Sequence, residues 1–139
     1  MNNRFKFRVW DKLAKRMIYP HNDNQQHFII DLNGRFHNLQ NGSGGDDYVI
    51  QQYTGLTDSK GNHIYEGDII KEHHFEDWGD KIGYEYIGIV VYKEYSDDIL
   101  YAGYKTIPAK NQNTKFRGNA IQSDCEVIGN IFENPELLK

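Results

Sequence analysis

A 139-residue chain with a formal charge of −4 and a pI near 5.8 is too acidic for a dedicated nucleic-acid-coating domain, where a pI above about 9 is expected. Its single cysteine, Cys125, excludes an intrachain disulfide and suits a reducing compartment. No apolar run approaches the roughly 18 residues of a membrane span, and the N-terminus lacks the apolar core of a secretory signal, so the expected location is the cytoplasm.

Ten Tyr, seven Phe and thirteen Gly, against Ala only at 14, 102, 109 and 120, favour short strands joined by tight turns over helices. Phe5, Phe7 and Val9 alternate with Arg4, Lys6 and Arg8. This period of two predicts a strand with a basic, wet face. Asp11–Arg16 is read as a hairpin connection and Met17–Tyr19 as the returning strand, ended by Pro20. Residues 21–26 read as loop. Two apolar runs, 27–32 and 35–39, flank Asn33-Gly34, the pattern of a hairpin with a type I′ turn. A glycine-rich loop at 41–47 precedes a strand at 48–53.

Asp58–Asn62 reads as a turn and His63–Tyr65 as a short strand. Glu66-Gly67-Asp68 leads into Ile69–Glu72, followed by an acidic loop to Gly83. The longest strand expected is Tyr84–Tyr95, with Gly88 as a bulge or bend. A return strand follows at 99–104, then an irregular basic excursion over Lys105–Gly118. Glu126–Phe132 is the last strand, and Asn134-Pro135-Glu136 starts one turn of helix. The fold class is therefore mainly β in one domain.

Charge is segregated along the chain. Residues 1–19 carry six Lys/Arg and one Asp, residues 46–98 four Lys and thirteen Asp/Glu, and residues 99–117 four Lys/Arg and no acid. Such blocks can steer self-association or a charged partner.

No catalytic pattern stands out. His73-His74 point to opposite faces if they lie on a strand, and they lack zinc spacings; they are read as part of an exposed polar loop. Glu66, Asp68 and His63 are the weakest-case acid–base set, with a turn as the plainer reading. No serine lies in a nucleophile elbow, and Gly42-Ser43-Gly44-Gly45 lacks the spacing and Lys of a phosphate loop. Cys125 reads as a small core residue. No cofactor or metal is expected.

Three segments resemble the YopX family of small phage and prophage proteins: Phe7-Arg8-Val9-Trp10-Asp11 with Met17, the stretch from Gln52 to Ile70, and Val127–Leu138. The resemblance implies N-terminal hairpins over about 1–56 packed with an SH3-like barrel over about 57–139, and subunits that assemble into a ring. It also implies an origin in temperate phages of Gram-positive bacteria, and so a place in the cytoplasm of the bacterial host. It implies no activity. The expectation is a non-enzymatic, homo-oligomeric protein-interaction module with a host or phage protein partner. Its candidate surface comprises Lys105, Lys110, Lys115, Arg117, Trp78, Arg4, Lys6 and Arg8. The alternatives are a small barrel that binds nucleic acid, which is not favoured, and an enzyme.

Overall fold

A computed structural model describes residues 5–19, 27–75, 79, 81–95, 101–109, 121 and 124–138, the side chains at 93–95 and 101–102 excepted. The described chain is mainly β: ten strands, with short 3-10 turns at Gly45–Asp47 and Pro135–Leu138. It divides into two compact units, residues 1–53 and 54–139.

In the first unit, β1 (Phe7–Asp11) lies between β2 (Arg16–Ile18) and β5 (Tyr48–Thr57), antiparallel to both. The β1–β2 turn is set by Asp11. Its carboxylate accepts the N–H groups of Leu13 and Ala14 at 3.0 Å each, and Lys15 takes the left-handed conformation at φ 53. A separate hairpin joins β3 (Phe28–Ile30) to β4 (Phe36–Asn38). Its turn is not type I′. Asp31 N–H donates to the Arg35 carbonyl and Gly34 N–H to the Asp31 carbonyl, and only Gly34 has a positive φ, of 80. The loop is thus the three-residue form with glycine at its left-handed position, because the Asp31 carboxylate holds the N–H groups of Asn33 and Arg35. Val9, Ile18 and Phe36 form the buried core, with Phe28, Ile30, Tyr48 and Ile50 packed around them.

Strand β5 carries the division between the units at Tyr53. In the second unit its end runs beside β6 (His63–Tyr65), where Thr54 Oγ1 donates to the Ile64 carbonyl at 2.7 Å. A four-stranded sheet follows in the order β10 (Glu126–Asn130), β7 (Asp68–His74), β8 (Tyr84–Tyr95), β9 (Tyr101–Pro108). It curls into a half-barrel, the form that the expected SH3-like barrel takes here. Successive residues point to opposite faces. One face therefore carries Ile70, Glu72 and His74 beside Gly88, Tyr86 and Tyr84, with Val90 opposite Thr106. Ile64, Ile70, Val90 and Cys125 form its apolar core.

Two expectations change here. Gly88 stays in register with Ile70 and Pro108 and makes no bulge; the irregularity lies in β10, between Val127 and Gly129. The basic excursion does not begin at Lys105. Strand β9 continues to Pro108, which an edge strand tolerates, and Thr106 is fully buried.

Candidate functional site

The second unit contains a buried polar cluster. Strand β7 extends past Glu72 to His74, so the two histidines do not form an exposed loop. His73 is exposed and His74 is buried. Their neighbours follow from the register: Glu72 opposite Tyr86, His74 opposite Tyr84. Glu72 is 1% exposed and His74 5%, and His74 Nε2 lies 3.1 Å from Glu72 Oε2. The His74 ring meets the Tyr86 ring edge-on at 5.2 Å and stacks on Tyr84 at 5.8 Å.

Burial dominates the electrostatics of this cluster. It holds the His74 imidazole below its ordinary value, against the pull of Asp124. It raises the Tyr86 phenol, with Glu72 adding to the effect. It pushes the Cys125 thiol up to about 11, with Glu72 adding to the effect. Displaced proton affinities gather at reactive sites and at structural networks alike. These groups are sealed from solvent and belong to the packed interior of the half-barrel. The signal that would have found them is the alternation Ile70, Glu72, His74, which continues the apolar face with polar residues.

The three weakest-case catalytic residues have local tasks. Asp68 is 1% exposed, and its Oδ2 accepts the Tyr65 N–H at 2.8 Å, closing the turn that Gly67 enters at φ 85. Glu66 sits in that turn and His63 begins β6, both half-buried. Among the described residues no three metal-ligating side chains come together.

Of the basic candidates, Arg8 is corrected. It is 3% exposed and its Nε donates to Gln51 Oε1 at 2.7 Å. Its register partner across β5 is the same Gln51, so the strand has no basic wet face there. The amide oxygen takes one of the five guanidinium donors, which lowers the cost of placing the group inside. Lys105 lies on β9 opposite Val91, half-buried, and Lys6 is half-buried just before β1. Arg4, Trp78, Lys110, Lys115 and Arg117 lie outside the described residues.

The first unit holds a feature that the sequence did not announce: an apolar groove of about 320 Å³. Phe5, Phe7 and Val9 line it from one side, and Phe28 and Ile30 of β3 with Phe36 of β4 from the other. Lys6 is its one charged lining residue. Val9 and Phe36 are buried, whereas Phe5 is 68% and Ile29, also in the lining, 42% exposed. The ring centroids of Phe28 and Phe36 are 5.4 Å apart, and Phe36 and Tyr48 are 4.7 Å apart. Aromatic walls with few polar groups are the make-up of a recognition site.

Whole-chain comparison decides the family. The family model described as YopX protein matches residues 6–139. The chain belongs to the YopX family. This YopX chain is also similar to the crystal structure of protein EF1440 from Enterococcus faecalis, at 26% identity and a TM-score of 0.50, covering 96% of this chain and 97% of that one. No curated protein matches it.

Proposed function

We propose that this YopX chain is a non-enzymatic protein-interaction module of phage or prophage origin, homo-oligomeric and cytoplasmic in the host bacterium. The observation that carries the reading is the apolar groove of the first unit, whose aromatic lining includes the exposed Phe5. Exposed apolar concavities of this kind attract partners because burying them releases water from apolar surface. The polar cluster of the half-barrel is closed to solvent, which argues against catalysis there. Family membership supports the phage origin. Among the described residues no helix is long and apolar enough to cross a membrane. The nucleic-acid reading is weakened by Arg8, whose guanidinium is engaged by Gln51 instead of phosphate.

The test is Phe5→Glu, which places a charge on a lining residue already 68% exposed and so spares the core. Light scattering should give the native protein a mass at least twice the 16.3 kDa of one chain. Capture from phage-infected cells, read by mass spectrometry, should return a defined partner. The variant should retain its thermal midpoint and bind that partner at least about tenfold more weakly, a cost of about 1.4 kcal/mol. A monomeric native protein with no partner, or a variant that captures the same proteins equally well, would refute the proposal.

A further inference from the structure

The groove lies alongside an open strand edge. In the β3–β4 hairpin, Leu39 N–H donates to the His27 carbonyl and Asp31 N–H to the Arg35 carbonyl. These bonds fix the ladder phase. Residues 27, 29 and 31 turn their backbone groups toward β4, and Phe28 and Ile30, in the intervening pairs with Asn38 and Phe36, turn theirs away. Strand β4 has its outer edge covered, since Asn38 N–H donates to the Ser43 carbonyl at 2.8 Å and His37 bridges Gly44. Strand β3 has no second neighbour among the described residues. Its outward N–H and C=O groups, two residues apart, repeat at the spacing of an extended chain, about 7 Å. The side chains of the same two residues line the groove.

We infer that the groove takes an extended peptide segment of a partner protein, added as a strand to the free edge of β3. The inference rests on the reading of this groove as a protein-interaction surface and names the partner's chemistry. An unpaired strand edge is a template for another backbone. Residues of the added strand that share the face of Phe28 and Ile30 must be apolar, because they meet Phe5 and Phe7. One acid belongs near Lys6, the single charge in the lining, which has no ion-pair partner among the described residues. A small apolar acid would satisfy the lining and the lysine but would leave the edge groups of Phe28 and Ile30 unused. The peptide accounts for all three.

The experiment uses the full chain, isotope-labelled, and four probes. They are a short acetylated peptide alternating valine and threonine with an aspartate at one end, the same peptide N-methylated at alternate residues, the same peptide ending in lysine, and dodecanoate. Saturable binding of the first peptide is expected. Amide exchange at Phe28 and Ile30 should slow by at least about tenfold, and N-methylation should weaken binding by at least about tenfold. Lys6→Glu should weaken the aspartate peptide and favour the lysine one. Equal binding of the N-methylated peptide, binding of dodecanoate in place of peptide, or no peptide binding would each overturn the inference. None of these disturbs a partner capture that is sensitive to Phe5→Glu, so the broader reading fails or stands separately.

Discussion

Asp58 does more than end β5. Its Oδ1 accepts the N–H groups of Lys60 and Asn62 at 2.9 and 2.8 Å, and its Oδ2 accepts the Asn62 amide at 3.2 Å and the Val127 N–H at 3.0 Å. Burial alone would raise this carboxyl. The hydrogen bonds from Val127, Asn62 and Lys60 outweigh burial and hold it below the usual carboxylate range. One side chain thus shapes the 58–62 turn and ties it to β10, and Ser59 N–H adds a bond to the Cys125 carbonyl at 2.9 Å. Asp58→Ala leaves four donors without their acceptor. Part of them regain water, so a loss of about 2–4 kcal/mol is expected, read as a lower urea midpoint at unchanged slope. A loss below about 0.5 kcal/mol would mean that the turn holds its shape without the carboxylate. Lys60 and Glu126 also pair across this turn at 2.7 Å, but both are solvent-exposed enough that the pair adds little.

At the scale of the strand, Gly88 shows how one missing side chain shapes the half-barrel. A Cβ there would lie 2.7 Å from Tyr86 Cε1 and 2.9 Å from Thr106 Cβ. The glycine gives the Tyr86 ring room to lie across the inner face, within reach of Thr106. Gly88→Ala should therefore cost about 1–3 kcal/mol through overpacking, with the largest spectral changes at Tyr86 and Thr106. A neutral substitution would mean that the ring moves aside freely.

Most strands were legible because alternation and glycine turns are local signals. Tyr84–Tyr95 was read with its final bounds, and the β3–β4 hairpin was found from Asn33-Gly34. The misreadings share a physical cause. Arg8 and His74 are polar residues on buried faces, so polarity assigned Arg8 the wrong side and His74 the wrong element. The β3–β4 turn came out in a different form because the Asp31 carboxylate, two residues before Asn33, captures its backbone donors. The groove was invisible for another reason. It exists only because β3 and the segment leading into β1 come together, and no periodicity within either records that contact.

For the molecule as a whole, β5 is the strand on which the two compact units divide, so no separate linker joins them. The segregated charge remains a property of the sequence; of the eight basic and aromatic residues proposed for the interaction surface, Arg8 belongs to the interior. The second unit contains the chain's only thiol, on Cys125, fully buried and pushed up to about 11. A thiolate must form and meet its reagent before it reacts, and here the raised pKa makes the first scarce and burial blocks the second. Alkylation of the untouched protein therefore clocks the excursions that expose this interior, with no engineered probe, and a bright fluorophore intended for the native surface needs a new attachment point.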